Sequence, residues 1–209
     1  MDFERANKVY AVFQARFRPR RIRKMLARSG LTASTTVLDV GGTDHFWAHS
    51  AVQPELTILN IAPFDYDGRK VVGDGCRLPF VTDAFDFVIS NSVIEHVPDH
   101  QAFAREIARV GKRYYVQTPN KWFPIEPHLM TPLIHLLPRS WQYRCIRFSL
   151  WSLVAKPTVA EQAEHLDTTH LITPRGMMQL FPGAEMERER FLGLTKSMAV
   201  WGGGPPPSG

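Results

Sequence analysis

Short apolar runs alternate with amphipathic stretches through the middle of the chain. The runs are rich in β-branched residues, and they predict strands over 35–40, 56–61, 70–74, 84–90 and 113–118. Residues 44–52 predict a helix, and Asp99 caps a second one that has Phe103, Ile107 and Val110 on one face. Strands that alternate with helices in this way favour βαβ crossovers and a parallel sheet.

The two ends of the chain show other patterns. Apolar positions at helical spacing over 3–28 predict two helices divided at Pro19. Near the other end, Thr173 and Pro174 predict the N-cap and first position of a short helix, and 184–201 predicts two final strands around Gly193. We therefore expect a basic N-terminal helical segment over 1–30, a domain over 31–201 with a lid-like insertion at about 121–170, and a disordered tail over 202–209.

The composition indicates one soluble domain with a sizeable core, since 44% of the 209 residues are hydrophobic and 22% are charged. No stretch approaches the roughly 18–20 uninterrupted apolar residues of a membrane span. The N-terminus has no signal-peptide pattern, and Cys76 and Cys145 are too isolated for a disulfide framework. We expect a cytoplasmic protein, with peripheral contact between the insertion and a membrane as an open alternative.

The positive charge is concentrated at the N-terminus. Residues 1–30 hold nine basic side chains against two acidic ones, whereas the rest of the chain holds 16 basic and 18 acidic ones. A basic helix can contact the phosphates of nucleic acid or of lipid headgroups, or it can simply present a solvated face. Both interpretations are open at this point.

Each predicted strand ends in polar residues or glycine. In chain order these ends are Asp39 with Gly41 and Gly42, then Asn60, then Asp74 with Gly75, then Asn91, and finally Thr118 with Asn120. Ligands of open α/β sheets bind at the carboxyl ends of the strands. The pattern therefore predicts one cleft that collects these residues.

Three segments carry a resemblance to a known family: "VLDVGG", "GDGCRLPFVTDAFDFVISNSVIEHV" and "YYVQTPN". Together they resemble the class I S-adenosylmethionine-dependent methyltransferases, in the type 11 branch, over about residues 35–120. The resemblance implies an α/β, doubly wound, mainly parallel seven-stranded sheet with helices on both faces, a Rossmann-like fold. It also implies S-adenosylmethionine as the cofactor.

The resemblance also implies the cofactor-binding residues, which are Asp39, Gly41, Gly42, Asn60, Asp74, Gly75, Cys76 and Asn91. Asp39 would organise the site near the methionine moiety, Asp74 would face the adenine amino group, and Asn91 would lie close to the sulfonium. The family usually has an acid that accepts both ribose hydroxyls where this chain has Asn60. An amide oxygen can accept a hydrogen bond but lacks the charge of a carboxylate.

Candidate catalytic residues are His96 in "IEHV" and Glu126 with His128 in "FPIEPHLM". Methyl transfer is a direct displacement that requires alignment of the reactants, and an acceptor that loses a proton benefits from a nearby base. A structural hydrogen-bonding role is the alternative for each residue.

A metal site made of Glu95, His96, Asp99 and His100 is disfavoured, because Pro98 interrupts the helical spacing between the two histidines. We therefore predict no metal.

The function predicted is S-adenosylmethionine-dependent methyl transfer to an oxygen, or a nitrogen, of a small-molecule, sugar or lipid-linked acceptor. One alternative is an RNA or protein methyltransferase that uses the basic N-terminal helices, although a nucleic-acid partner is the weaker expectation. The other is a non-catalytic module that keeps the cofactor fold and binds a partner. The sequence leaves the identity of the acceptor open.

Overall fold

The computed structural model describes residues 19–43, 47, 50–126 and 128–204. Its strands are β1 (Thr36–Val40), β2 (Glu55–Asn60), β3 (Arg69–Val72), β4 (Phe87–Asn91), β5 (Arg113–Pro119), β6 (Ile125–Glu126), β7 (Thr131–Pro132), β8 (Glu185–Phe191) and β9 (Leu194–Gly203). Its α-helices are α1 (19–29), α2 (His100–Val110), α3 (Arg139–Cys145), α4 (Leu150–Ala155), α5 (Val159–Thr168) and α6 (Pro174–Leu180). Single 3-10 turns lie at Ile94–His96, Ile134–Leu136 and Ile146–Phe148.

Seven of these strands form one sheet in the order β3-β2-β1-β4-β5-β9-β8. The first five strands are parallel, whereas β9 is antiparallel to β5 and to β8. Strand order reverses between β1 and β4, the point where open α/β sheets bind their ligands. The doubly wound, mainly parallel sheet predicted from the sequence is confirmed.

Helices cover both faces of the sheet, as predicted. Successive residues of β1 show this, because Leu38 packs in one buried cluster and Val37 in another. The first cluster includes Phe103 of α2 and Met177 of α6, and the second includes Met25 of α1. Each face of the sheet thus has its own layer of helix.

Helix α1 packs on the sheet through Met25 and is tied to the edge strand β8 by charge. Arg21 forms an ion pair with Glu189 at 3.2 Å, and Lys24 forms one with Glu187 at 2.6 Å. The predicted boundary after residue 30 therefore does not separate α1 from the domain. Residues 1–18, the rest of the predicted basic segment, lie outside the described residues.

Three predicted strand boundaries are wrong. Strand β3 ends at Val72 rather than at residue 74. Strand β4 begins at Phe87 rather than at residue 84, because the carboxylate of Asp86 accepts hydrogen bonds from the backbone N–H and the hydroxyl of Thr36, at 3.0 and 2.8 Å. Strand β9 continues through Gly202 and Gly203, which pair with β5, although the sequence placed both in the tail.

Two further predicted elements lie partly outside the residues that the structure describes. Residues 44–46, 48 and 49 of the predicted helix over 44–52, and residues 205–209 of the predicted tail, are not among the described residues.

Both predicted helix caps are confirmed. The Asp99 side chain accepts a hydrogen bond from the Ala102 N–H at 2.9 Å, and Thr173 accepts one from Gly176 at 3.1 Å, with Pro174 at the first position of α6. Within the described residues, no helix has both the length and the apolar character needed to cross a bilayer.

The insertion (residues 121–170) forms a compact unit between β5 and α6. The Lys121 N–H donates to the carbonyl of Ile172 at 3.0 Å, which brings the two ends of the unit together. Its small apolar core consists of Leu129, Ile134, Ile146 and Leu166. Because the insertion leaves from the carboxyl end of β5, it lies at the edge of the sheet where the predicted cleft forms.

Candidate active site

The turn after β1 requires its two glycines. Gly41 has φ +77°, and a Cβ atom at this residue would lie 2.5 Å from a methyl group of Val93. A Cβ atom at Gly42 would lie 2.0 Å from the carboxylate of Asp39. Both positions therefore exclude a side chain, which is why glycine is needed at each of them.

Asp39 stands directly under this turn and is buried, with 2% of its surface exposed. Its carboxylate accepts a hydrogen bond from the indole N–H of Trp47 at 2.7 Å. A buried carboxylate needs such donors, because burial without them would cost several kcal/mol, of the order of 2–7 even for an uncharged polar group. Sequence reasoning missed Trp47, because the path of the loop between the two residues decides the contact.

Asn60 joins the end of β2 to the glycine turn. Its side-chain amide donates a hydrogen bond to the carbonyl of Gly42 at 2.9 Å. A carboxylate at this position has no hydrogen to donate and would face the carbonyl as a second acceptor. The departure from the family pattern at Asn60 thus has a structural reason in this chain.

The segment after β3 holds three more of the predicted cofactor residues, Asp74, Gly75 and Cys76. Asp74 is exposed, and one of its carboxylate oxygens accepts a hydrogen bond from the Cys76 N–H at 2.8 Å. A Cβ atom at Gly75 would lie 2.7 Å from the ring of Phe103, so glycine is needed there for packing against α2. The Cys76 thiol donates to the carbonyl of Asp99 at 3.5 Å, and burial raises the pKa of this thiol.

The end of β4 is conformationally unusual. Asn91 is its last residue, and the following Ser92 has φ +60°, although it is not glycine. The Ser92 N–H donates to the carbonyl of Gln117 at 3.0 Å, and this bond holds the strained residue in place. Strained residues are concentrated at functional sites, but no sequence pattern pointed to Ser92.

Glu95 lies in the 3-10 turn after β4 and is completely buried. One of its carboxylate oxygens accepts a hydrogen bond from the Thr118 hydroxyl at 3.0 Å. The other oxygen, Oε1, has no hydrogen-bond partner among the described residues. Burial raises the pKa of this carboxyl, since the charged form loses its hydration.

Glu126 and His128 form a buried pair at the start of the insertion. The Nδ1 atom of His128 lies 2.8 Å from Oε1 of Glu126, and the other Glu126 oxygen accepts a hydrogen bond from the Leu129 N–H. Burial opposes both charges. The hydrogen bond between the two side chains outweighs it, so that the pKa of Glu126 lies below its ordinary value and that of His128 above.

The insertion brings His128 against His96, which belongs to the turn after β4. Their ring centroids are 4.9 Å apart and the rings meet edge to face. Burial, together with the nearby charge of His128, lowers the pKa of His96 to about 4. His165 follows at 5.9 Å from His128 and stacks on Trp151 at 5.0 Å, a contact that no sequence spacing indicated.

The possible metal ligands that the structure brings together differ from the set considered in the sequence. Asp99 serves as the helix cap, and His100 faces His170 at 6.3 Å. Glu95, His96 and His128 instead offer ligand atoms that all lie within 4.8 Å of one another.

The predicted cofactor residues and the histidine–carboxylate group thus share the carboxyl edge of the sheet. Val93 connects them, because it packs against Gly41 and is followed by the 3-10 turn that carries Glu95 and His96. Asp39, Asn60, Asp74 and Asn91 stand at the ends of four neighbouring parallel strands or directly after them. The structure does not test their roles toward a ligand, which stay predictions.

Comparison with known proteins agrees with this arrangement. Residues 21–114 match the family model described as a methyltransferase domain. A curated relative, an uncharacterised methyltransferase of Mycobacterium sp. (strain KMS), is 35% identical over 87 residues, which are 37% of this chain and 34% of that protein. The match thus spans about one third of the length of the relative.

Two solved structures show the same fold at low sequence identity. The geranyl diphosphate C-methyltransferase of Streptomyces coelicolor A3(2) superposes with a TM-score of 0.58 at 13% identity, over 93% of this chain and 82% of that one. An S-adenosylmethionine-dependent methyltransferase of Mesorhizobium loti gives 0.53 at 15% identity, over 86% of this chain and 94% of that one.

The seven-stranded sheet with helices on both faces is the fold of these class I methyltransferase structures. The family match over 21–114 covers less than half of the chain, and it shows that this part is similar to a methyltransferase domain.

Proposed function

We propose that this chain transfers a methyl group from S-adenosylmethionine to an oxygen, or in second place a nitrogen, of a small-molecule, sugar or lipid-linked acceptor. One observation carries the proposal. The glycine turn at Gly41 and Gly42 lies on the same sheet edge as the group of His96, Glu126 and His128. Only Ile94 separates Val93, which contacts the turn, from Glu95. The residues proposed to bind the cofactor and those proposed to bind the acceptor are therefore adjacent.

The residues at this edge fit the cofactor. The turn consists of two half-buried glycines, because a side chain at Gly41 or Gly42 would collide with Val93 or Asp39. Asp74 is exposed and keeps acceptor capacity for an adenine amino group. Asn60, held through its amide N–H, keeps its carbonyl oxygen as an acceptor for a ribose hydroxyl. S-adenosylmethionine supplies an electrophilic methyl group when it is bound here.

His96 and His128 are proposed to contact the acceptor and to hold its nucleophilic atom in line, and Glu126 is proposed to orient His128. In the transfer to a hydroxyl, the oxygen forms a bond to the methyl carbon, the carbon–sulfur bond breaks, and the sulfur keeps the electron pair. The proton of the hydroxyl leaves to water, which reaches the site at the exposed side of His96. The main task of the protein is alignment, which can contribute about 7–11 kcal/mol to such reactions.

The surface of the insertion favours an acceptor with apolar character. Trp141, Phe148 and Leu153 are 56%, 65% and 61% exposed, and Arg147 lies over the ring of Phe148 at 4.6 Å. Large exposed apolar groups beside arginine suit an amphipathic or lipid-linked molecule, and they also suit peripheral contact with a membrane.

The rival RNA methyltransferase receives less support from the described residues. Arg21, Lys24 and Arg28 of α1 all form ion pairs with glutamates of β8. Basic side chains that are already paired within the chain are poorer ligands for phosphates.

The test is calorimetric titration with S-adenosylhomocysteine, followed by methyl-transfer assays on acceptor extracts from the host. We expect saturable binding to the wild type, and His128→Ala should leave this affinity nearly unchanged while it lowers kcat for transfer. The control is His170→Ala, an exposed histidine whose ring faces His100 and not the group of His96, Glu126 and His128. Absence of binding to folded protein would favour the non-catalytic module, and normal turnover in His128→Ala would show that the histidine is structural.

A further inference from the structure

We propose that Glu95, His96 and His128 bind one divalent transition-metal ion, with Glu126 as the partner that orients His128. The three side chains offer ligand atoms within 4.8 Å of one another, and they come from two segments that are distant in sequence. This site holds two imidazoles and one carboxylate, a set that suits zinc or a neighbouring transition metal better than magnesium or calcium.

Glu95 is the first observation that points to a ligand. Its side chain is fully buried, and the Thr118 hydroxyl satisfies only one of its two oxygens. Oε1 has no donor among the described residues. An unsatisfied buried carboxylate oxygen is costly, and an ion placed between it and the histidines would satisfy it.

The arrangement around His128 is the second observation. Glu126 holds Nδ1 of His128 at 2.8 Å and is itself fixed by the Leu129 N–H. With the proton of the ring on Nδ1, the lone pair of the imidazole lies on Nε2. Metal-binding histidines show this same pattern, in which a carboxylate holds one ring nitrogen and the metal takes the other.

The distances allow an ion after small side-chain rotations. Zinc bonds to nitrogen and oxygen are about 2.0–2.2 Å long, so tetrahedral ligand atoms stand about 3.3 Å apart. The atoms here lie within 4.8 Å, and His96, which has an exposed side, can rotate toward the centre of the group. That same exposed side leaves coordination positions open for water or for a substrate.

The role of such an ion rests on the proposed function. A metal with an open position lowers the pKa of a bound hydroxyl and fixes its oxygen in place. Since the group adjoins the cofactor edge through Val93, the ion would hold the acceptor oxygen beside the methyl donor. The substrate class would then be an alcohol, phenol or other chelating oxygen compound.

The test uses the purified full chain, stripped with a chelator and dialysed, with Zn²⁺ or Co²⁺ alone as the probe. We expect elemental analysis to find one Zn²⁺ per chain. Addition of Co²⁺ should give a visible absorption band that is typical of a site with few nitrogen and oxygen ligands. His96→Ala and Glu95→Gln should abolish stoichiometric binding. Glu126→Gln should weaken it about 10–100-fold, the usual effect of losing such an orienting carboxylate.

His170→Ala is the matched control, because this exposed histidine lies outside the group, and it should bind metal as the wild type does. Circular dichroism and the affinity for S-adenosylhomocysteine are measured for every variant. These two measurements distinguish the loss of a metal-binding side chain from unfolding of the chain. Absence of metal binding to the folded wild type overturns the proposal, and so does full binding by folded His96→Ala. Metal binding without any S-adenosylhomocysteine binding would keep the site but refute the proposed function.

Discussion

The side-chain amide of Asn60 donates a hydrogen bond to the carbonyl of Gly42 at 2.9 Å and so ties the end of β2 to the turn after β1. Both partners are parts of the predicted cofactor edge. The contact explains why an amide, and not an acid, stands at this position, because only the amide can donate a hydrogen to the carbonyl.

Replacing Asn60 should destabilise the domain. Asn60→Ala removes the hydrogen bond and should lower the free energy of unfolding by about 0.5–1.5 kcal/mol. Asn60→Asp should cost at least as much, because its carboxylate would face the Gly42 carbonyl as a second acceptor. Urea unfolding measures both variants, with Glu55→Gln at the opposite end of β2 as the control. Wild-type stability in Asn60→Asp would show that this bond does not hold the turn.

A side chain at Gly42 should abolish cofactor binding. In Gly42→Ala the new methyl group would lie 2.0 Å from the carboxylate of Asp39, so either the turn or the buried acid must move. We expect no measurable heat on titration with S-adenosylhomocysteine and a lowered Tm. Gly204→Ala is the control, since no atom lies within 4 Å of its added Cβ. Wild-type affinity in Gly42→Ala would place the cofactor elsewhere.

Removing the charge of Asp74 should weaken cofactor binding without unfolding the chain. Asp74→Asn keeps an oxygen for the Cys76 N–H but loses the charge that strengthens a hydrogen bond from a ligand amino group. Since hydrogen bonds to charged groups contribute about 1.5–3 kcal/mol, a neutral acceptor should reduce the affinity roughly tenfold.

Calorimetry with S-adenosylhomocysteine measures this effect. The control is Asp83→Asn, an exposed acid in the turn before β4. If Asp74→Asn and the wild type bind S-adenosylhomocysteine with equal affinity, Asp74 does not contact the adenine amino group.

Asp86 should make stability depend on pH in the acid range. Hydrogen bonds from Lys112 and from Thr36 lower its pKa from 3.8 to about 2 in the folded chain. A lowered folded pKa means that the stabilisation is complete above about pH 4 and is lost as the pH falls toward 2.

Urea unfolding at pH 6 and at pH 2.5 tests this. The difference in unfolding free energy between wild type and Asp86→Asn should be larger at pH 6 and should shrink at pH 2.5. A difference that stays constant over this range would contradict the assignment. Glu55→Gln, an exposed acid whose nearest basic group lies 3.8 Å away on Arg69, is the control.

Much of the fold could be read from local patterns. The β-branched runs and their polar ends predicted the five parallel strands, and Asp99 and Thr173 marked helix starts by their capping chemistry. The start of β4 was misplaced because Asp86, within an apolar run, bonds to a residue 50 positions away. The strand extending to Gly203 was missed because glycine carries no strand signal of its own, and only pairing with β5 orders it.

The amino-acid sequence by itself determined the order of strands and helices, the glycine turn at Gly41 and Gly42, and the polar strand ends that meet at one edge. It could do so because periodicity and residue chemistry are local properties. Only the tertiary structure decided which distant groups meet. His96 and His128 come into contact because the insertion folds back on the turn after β4, and Arg21 reaches Glu189 across 168 positions of sequence. Such contacts depend on the paths of loops and on burial shared by several elements, and no window of sequence contains that information.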